Sequence, residues 1–418
     1  MLPAIQAEQQ ILDLIHPLDA HLDRETVALG HALGRILATT ITSKLDFPHW
    51  DNSAMDGYAV RYEDVQHCSR DRPVALTIME EIPAGTQPHH LIQPGQAARI
   101  LTGSVMPAGA DTVVMQEDTQ RDGDRVTIFT APKPQAFVRH QGAFYQAGAP
   151  LLGGGIRIQA TEMAILAAAQ CAEVAVYRKP RVAILSTGSE LVDLEQPLQP
   201  GQIVDSNRYA LMVLVAQAGA EPIEIGSIPD DPAALKSAIA HAIATADLVI
   251  SSGGVSVGDY DYIDEILADL GATIHIRSVA VRPGKPLTVA TFSASPSSPH
   301  RPTLYFGLPG NPVSALVTFW RFVQPAIRKL AGRLSPWAPI VVNARTQQEL
   351  RSDGKRETYV WGQVQVTNGG YEFHVAGGSQ SSGNLINLAG TNALAVIAIG
   401  QTQIPAGATV SVLLVNGD

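Results

Sequence analysis

The sequence predicts a multi-domain protein of α/β plus β class. Its expected parts are a central helix-covered, mostly parallel sheet, an inserted β module, an N-terminal helical or linker domain and a C-terminal β domain. Three observations predict it. From Arg181 to Gly332, bare apolar runs alternate with segments of helical periodicity, the pattern of a sheet with helices on its faces. Residues 45–148, and again those past Gly332, carry short β runs separated by Pro and Gly turns. The length of 418 residues allows about three domains at ~150 each. With 45% hydrophobic and 16% charged residues, and a mean hydropathy of +0.08, the chain can bury several cores.

The elements follow in order. Residues 5–16 place Ile5, Gln9, Leu12 and Ile15 one turn apart, a short helix with a weak apolar stripe, and ALGRILA at 32–38 reads as a second helix. VALTIM (74–79), AARIL (97–101), DTVVMQ (111–116) and RVTIFT (125–130) are the strands of the β module. Residues 161–172 return to helix, with Thr161 as its expected N-cap. VAIL (182–185), PIEIGSI (222–228), DLVIS (247–251), a segment within 273–291 and LYFG (304–307) are the strands of the α/β domain. Between them, Leu211, Leu214, Val215 and Ala218 share one helical face. So do Leu235, Ile239, Ala242, Ile243 and Ala246, behind a cap at Asp230 or Asp231 and a Pro at 232. Ile263, Ile266, Leu267 and Leu270 mark the next helix. The last begins at Pro312, buries Leu316, Phe319, Val323 and Ile327, and should kink at Pro325. SASPSSPH (293–300) is a loop insertion. PIVVNA (339–344), ETYVWGQVQV and ALAVIAIG (393–400) are C-terminal strands. No charged residue occurs between Ala376 and Gly417, so this tail should pack against another domain or subunit.

Composition excludes several classes. The 36 glycines and 28 prolines fit many tight turns rather than disorder. Cys68 and Cys171 are the only cysteines, which rules out a disulfide scaffold, a Cys-based zinc site and an iron–sulfur cluster. A net charge of −10 argues against a general nucleic-acid binder. There is no run of 18 apolar residues and no basic stretch opening a signal peptide, so a cytoplasmic protein without membrane attachment is expected. HExxH, GxxxxGK[ST] and a GxGxxG following a strand are all missing, which removes support for a zinc hydrolase, a P-loop NTPase and a dinucleotide enzyme.

In an open α/β sheet, ligands bind beyond the C-terminal ends of the strands. Here those ends carry STGSE (186–190), PDD (229–231), SGGVSVGDYD (252–261), RPGKP (282–286) and LPGNP (308–312), five loops that should converge on one rim. The small residues of SSGGVSVGDYD can form an anion nest of backbone N–H groups, while Asp259 and Asp261 suit a Mg²⁺ held against a phosphate. A plain Gly-rich turn with a capping Asp accounts for the same residues equally well. PGNP before a helix offers an anion-binding helix N-terminus. Arg282 and Lys285 offer cations for a phosphate or oxyanion, and Glu190 with Asp230 or Asp231 adds carboxylates. Together these describe a site for a polyanionic ligand with a divalent metal.

DNSAMDGYAV (51–60), RILTG (99–103), STGSEL (186–191), SSGGVSVGDYDY (251–262), RPGKP, GLPGNPVSALVTF (307–319), GSQSSGNL (378–385) and GTNALAVI (390–397) occur in that order along nearly the whole chain. In this the sequence resembles the molybdopterin molybdenumtransferase (MoeA) family, which is similar to the E domain of gephyrin. The resemblance implies a MogA-like molybdopterin-binding α/β domain at 180–332 and an inserted β domain at 45–145. It also implies a linker or helical domain from 1–44 with 146–179, and a β-barrel-like domain at 333–418. It implies Mg²⁺-dependent insertion of molybdate into adenylylated molybdopterin with release of AMP, by a homodimer whose active site is shared between subunits. The residues it implies for the chemistry are Asp56, Glu190, Asp230, Asp261 and Lys285, with Glu190, Asp230 and Asp261 on the metal. For ligand binding it implies Thr102, Ser186, Thr187, Gly188, Gly253, Gly254, Ser256, Gly258, Arg282, Pro309 and Pro312. The molybdopterin adenylyltransferase and molybdoenzyme apo-proteins are the implied protein partners. Three positions depart from the family pattern: Gly142-Ala143-Phe144 where an acidic pair is common, Arg282 for a lysine, and Trp361-Gly362 for Arg-Gly. A non-catalytic scaffold, a nucleotide-dependent phosphotransferase and a tungstate-specific insertase are the alternatives.

Overall fold

The computed structural model describes residues 1–254, 262–293 and 301–415. The chain forms two compact units, one from Met1–Thr39, Gly154–Met163 and Glu173 onward, the other from Thr40–Gly153 and Ala164–Ala172.

The larger unit is built on a six-stranded sheet. Its order is Glu221–Ile228, Arg181–Thr187, Leu248–Ser252, Thr303–Leu308, Pro286–Phe292, Thr273–Ser278. The first four are parallel, and Pro286–Phe292 runs antiparallel to both neighbours. Because successive side chains point to opposite faces, the apolar runs divide cleanly in two. Val182, Ile184, Leu248, Ile250, Leu304 and Phe306 lie in one core with Leu211 and Val215 of the helix Ser206–Gln217. Ala183, Leu185, Val249 and Tyr305 lie in the other, with Leu235 and Ile239 of Pro232–Thr245 and with Ile263 and Leu267 of Tyr262–Asp269. Both faces are therefore covered, which is why these strands read as unbroken apolar runs. Of the two candidate caps, Asp231 is the one used, accepting the Ala234 N–H at 2.8 Å.

Local differences from expectation have physical causes. The N-terminal helix is Ala4–Asp13, but its buried face is Ala4, Ala7 and Ile11, and Ile5 is 70% exposed. Small alanines permit a closer approach than the isoleucine stripe would. Residues 32–38 are not helical. A short 3₁₀ turn covers Leu29–His31, Gly34 sits at φ +77°, and Ile36 and Leu37 bridge to Arg157 and Val176. Thr161 lies inside the helix Ala160–Ala168, where the Glu162 carboxylate instead accepts the Gln159 N–H. The last long helix does not simply kink at Pro325. It passes from Pro312–Thr318 through a π-helical stretch, Phe319–Val323, into Gln324–Leu330, so the widened turn lies just ahead of the residue that has no N–H to donate. The 293–300 insertion lies outside the described residues apart from Ser293.

Past Gly332 the strands Val341–Thr346, Glu357–Thr367, Gly370–Val375, Ala393–Ile397 and Thr409–Leu414 pair in a closed ring of five, a barrel filled by Ala344, Val360, Phe373, Ala395 and Val412. The uncharged tail finds its partner within the chain. Leu394 and Leu413, with Tyr359 and Trp361, join the same core as Phe322, Val323 and Leu330 of the last helix. A two-stranded parallel pairing of Val281–Arg282 with Glu357–Thr358 ties the RPGKP loop to the barrel.

The smaller unit holds a mixed six-stranded sheet, ordered Thr112–Met115, Gly57–Val60, Gln96–Ile100, Val74–Ile82, Arg125–Ile128, Thr119–Asp122. All four β runs expected from the sequence are in it. Among the described residues of either unit, no helix is long and apolar enough to cross a membrane.

Candidate functional site

The strand order reverses at Arg181–Thr187. The next sheet strand in sequence, Glu221–Ile228, lies on one side of it, and Leu248–Ser252 lies on the other. Such a switch point opens a crevice at the strand C-termini. A cleft of about 880 Å³ is found there, lined by Ser186, Thr187, Gly188, Glu190, Asp230, Gly253, Gly254, Pro309 and Pro312 among others. All nine were sequence candidates.

The loops fit together closely. A Cβ on Gly253 would lie 2.4 Å from the Thr187 carbonyl oxygen, and one on Gly254 would lie 2.8 Å from the Thr187 hydroxyl. Both glycines also have positive φ, so any side chain there would strain the backbone and push the two strand ends apart. The Asp230 carboxylate accepts the Ser189 N–H at 3.1 Å, and the Asp230 N–H donates to the Ser189 hydroxyl at 3.1 Å, which locks the STGSE and PDD loops to each other.

The backbone donors are less available than the loops suggested. The N–H of Gly188 goes to the Ile228 carbonyl and that of Gly253 to the Leu308 carbonyl. At the PGNP helix, Pro312 has no N–H and Val313 donates to the Ser382 carbonyl at 3.1 Å. The expected anion site at that helix end is thus largely occupied by the chain itself. What the cleft presents is oxygen: the carboxylates of Glu190 and Asp230 and the Thr187 hydroxyl.

Arg282 and Lys285 line an adjoining cleft of about 910 Å³ between the RPGKP loop and the barrel, together with Arg351, Arg356, Trp361 and Ser382. Pro286 and Ser314 line both clefts. Because Pro286–Phe292 is antiparallel, its N-terminal end lies at the edge where the parallel strands end, which brings RPGKP to the rim. Gly284 permits this: a Cβ there would meet Thr318 at 2.4 Å. Asp353 faces both Arg282 and Arg356 at 3.5 Å. The Lys355 N–H first, and these guanidiniums after it, hold its carboxyl below the usual range. Lys285 is half-buried, and its ammonium has no partner among the described residues.

In the smaller unit, Asp56 and Thr102 are brought together. The Asp56 carboxylate accepts the Thr102 N–H at 2.7 Å and its hydroxyl at 2.8 Å. These two bonds, the backbone one foremost, lower the Asp56 carboxyl although it is exposed. Ser256, Gly258 and Asp261, with Asp259, lie outside the described residues. Among the described residues no three metal-ligating side chains cluster.

Three residues went unnoticed in the sequence. Asp205, 2% exposed, caps the helix Ser206–Gln217 by accepting the Arg208 N–H, and also accepts the hydroxyls of Ser186 at 2.9 Å and Ser227 at 2.8 Å. Arg208 is buried beside Asp193, Asp205 and Glu224. Asn207 lines the main cleft. The available signal was Asp-Ser-Asn directly before an apolar-periodic segment, a helix N-terminus signature.

Fold and cleft thus define a molybdopterin-binding type of α/β protein carrying a C-terminal barrel, and comparison with known proteins makes the assignment specific. Family models match at residues 2–169 (MoeA N-terminal region, domain I and II), 183–329 ("Probable molybdopterin binding domain") and 343–415 (MoeA C-terminal region, domain IV). A molybdopterin molybdenumtransferase of Nostoc sp. is 63% identical over 96% of this chain and 91% of that protein. One of Haemophilus influenzae is 36% identical over 89% of this chain and 90% of that protein. The crystal structure of a molybdopterin biosynthesis moeA protein from Pyrococcus horikoshii superposes with a TM-score of 0.83 at 29% identity, covering 99% of this chain and all of that one. The chain belongs to the MoeA family of molybdopterin molybdenumtransferases, the enzymes of molybdenum cofactor biosynthesis.

Proposed function

We propose that the protein inserts molybdate into adenylylated molybdopterin and releases AMP, with the switch-point cleft as the pterin and phosphate site and the adjoining basic cleft as the oxyanion's entry. The single observation that carries this reading is the pairing of the two clefts across Pro286 and Ser314: one is rich in carboxylate and hydroxyl groups, the other in cations. A dianionic oxyanion is attracted to Arg282, Lys285, Arg351 and Arg356; Asp353 pairs with Arg282 and Arg356, and Glu349 with Arg351, while the Lys285 ammonium has no partner among the described residues.

The donor set fits Mg²⁺, which takes one or two carboxylates and completes its shell with water and substrate phosphate oxygens. Glu190 and Asp230 would hold it, with Asp261 proposed as a further ligand; when bound it supplies Lewis-acid polarisation of the phosphoanhydride. Ser189 and Asp230 fix each other, so that carboxylate is held in place before the ligand arrives. Ser186, whose hydroxyl is bonded to buried Asp205, sits near the end of the strand Arg181–Thr187 as a fixed wall. Gly188, Gly253, Gly254, Pro309 and Pro312 shape the cleft, with Ser256 and Gly258 proposed to extend it.

Asp56 and Thr102 are proposed to complete the site of a second copy in a homodimer. Exposed Leu194, Leu198, Ile203 and Val213 on the larger unit, and Trp50, Met55, Leu101 and Phe144 on the smaller, supply apolar surface for such an association. The adenylyltransferase and apo-enzymes would be transient partners, and the cytoplasm the site of action.

The test is AMP release from adenylylated molybdopterin by the purified protein in Mg²⁺, with and without molybdate. Release that rises with molybdate, together with molybdenum bound to the product pterin, is expected. AMP release indifferent to molybdate would point to a phosphotransferase, and none at all to a scaffold.

A further inference from the structure

We propose that Asn207 is a specificity-determining residue that recognises the donor edge of the pterin through its carboxamide oxygen. This rests on the reading of the switch-point cleft as the molybdopterin site, and assigns a residue and a ligand edge within it.

Asn207 is the second residue of the helix Ser206–Gln217, directly after the buried cap Asp205, and is 7% exposed. Its amide nitrogen donates twice, to the Ser252 hydroxyl at 2.8 Å and to the Gly310 carbonyl at 2.8 Å. The Ser252 hydroxyl in turn donates to the Pro309 carbonyl at 3.5 Å. A carboxamide nitrogen has two hydrogens, and both are used. A carbonyl such as that of Gly310 can only accept, so the amide cannot be turned the other way round. Its orientation is therefore fixed by chemistry.

That orientation leaves Oδ1 buried without a hydrogen-bond partner among the described residues. The Thr187 hydroxyl, on the same cleft, is also buried and without a partner among the described residues. Buried acceptors are rarely left unpaired, and an orphan signals either strain or a missing partner. Here the amide nitrogen's two bonds hold the side chain in place, and the residue lines a cleft large enough for a ligand. The missing partner is a donor on that ligand.

Phosphate, dithiolate sulfur and molybdate oxygens are acceptors. The substrate's donors are the amino group and ring N–H groups of the pterin and the ribose hydroxyls and adenine amino group of the nucleotide. The Asn207 oxygen is assigned to the pterin, and the AMP arm of the test separates the two. Cations and hydroxyls would hold any phosphorylated ligand; the Asn207 oxygen adds a contact that a phosphate or oxyanion cannot satisfy and a pterin amino group can.

The test removes the donor from the ligand and the acceptor from the protein. Competitive binding of 6-carboxypterin and 6-carboxylumazine is measured on the full chain; the lumazine has a carbonyl where the pterin has its amino group. Wild type should prefer the pterin about tenfold, the worth of a hydrogen bond whose loss leaves the buried acceptor unpaired. Asn207→Ala should lose the preference, while AMP affinity is unchanged. A structural role would instead lower pterin and AMP binding alike and keep the pterin-to-lumazine ratio. If wild type binds both heterocycles equally, Asn207 does not read the amino group, and the assignment is overturned even if the variant fails to fold. A fall in AMP affinity alone would assign the oxygen to the nucleotide. If wild type binds neither heterocycle nor molybdopterin itself, the functional reading of the cleft falls together with the assignment.

Discussion

Asp247 should be among the residues that most strongly stabilise the larger unit, and its effect should depend on pH in a defined way. It precedes the strand Leu248–Ser252 and is fully buried. Its carboxylate accepts from Arg178 at 2.7 and 2.9 Å, from Arg301 at 2.5 Å and from the Arg181 N–H at 2.8 Å. Asp23 bridges the same two guanidiniums at 2.9 and 2.8 Å. Burial alone would raise the Asp247 carboxyl, but Arg178 first, then the Arg181 N–H and Arg301, outweigh it and bring it down from 3.8 to about 2. A depression of that size contributes about 2.4 kcal/mol of stability at neutral pH. Because the folded value is lowered, the contribution is complete above about pH 5 and is lost as pH falls from about 4 through 2. Asp247→Asn also strands the buried Arg301 guanidinium and the half-buried one of Arg178, a loss that reaches about 3–5 kcal/mol when nothing compensates. Asp23 remains to compensate, so the expected loss is about 2.5–3.5 kcal/mol. Urea unfolding followed by tryptophan fluorescence reports on the correct unit, since Trp320, Trp337 and Trp361 lie there and only Trp50 lies in the other. The variant should be less stable by that amount at pH 7, and the two proteins should converge as pH approaches 2. A variant within about 0.5 kcal/mol of wild type at pH 7, the range of an ordinary surface change, would refute the account of the network.

Lys285→Ala should lower molybdate-dependent AMP release about tenfold or more, the loss of one charge-assisted contact, and leave the melting temperature unchanged; normal turnover with a lowered melting temperature would make it a structural lysine. Glu190→Gln and Asp230→Asn should each raise the Mg²⁺ concentration needed for half-maximal turnover, and curves superimposable on wild type would remove both from the metal. Thr102→Val removes one of the bonds that hold Asp56 ionised, so the Asp56 carboxyl should titrate closer to the ordinary aspartate range in an NMR pH titration; an unmoved titration would mean the backbone bond suffices. Light scattering at micromolar concentration should give twice the chain mass, and a monomer there would undo the proposed sharing of Asp56 between copies.

What the sequence made legible follows from period and punctuation. Strands buried on both faces announce themselves as VAIL, DLVIS and LYFG, and the turn residues after each one mark the rim, so nine candidate residues line one cleft. Less legible was anything that depends on what packs against a segment. ALGRILA has helical composition, yet Gly34 turns the chain and Ile36 and Leu37 pair across to Arg157 and Val176, contacts that local propensity cannot anticipate. The anion-cradle reading of PGNP failed in part for the same reason: a free N–H in sequence terms is spent on the Ser382 carbonyl of the barrel, some seventy residues away.

Asp205, Asn207 and Arg208 show the other limit. Read locally, Asp205 is a helix cap and nothing more. In the fold the same carboxylate also receives two hydroxyls from neighbouring strands, Ser186 and Ser227, because the register sets Ser186 opposite Ser227 on adjacent parallel strands. One capping aspartate thereby fixes the ends of the strands Arg181–Thr187 and Glu221–Ile228, and the residue two places on is turned so that both of its amide hydrogens hold the neighbouring strand ends together. Stability and recognition are carried by the same short segment. The bonds that close the fold are the ones that leave the Asn207 oxygen without a partner among the described residues, which is why that acceptor, rather than the more conspicuous glycine loops, is the place to look for selectivity.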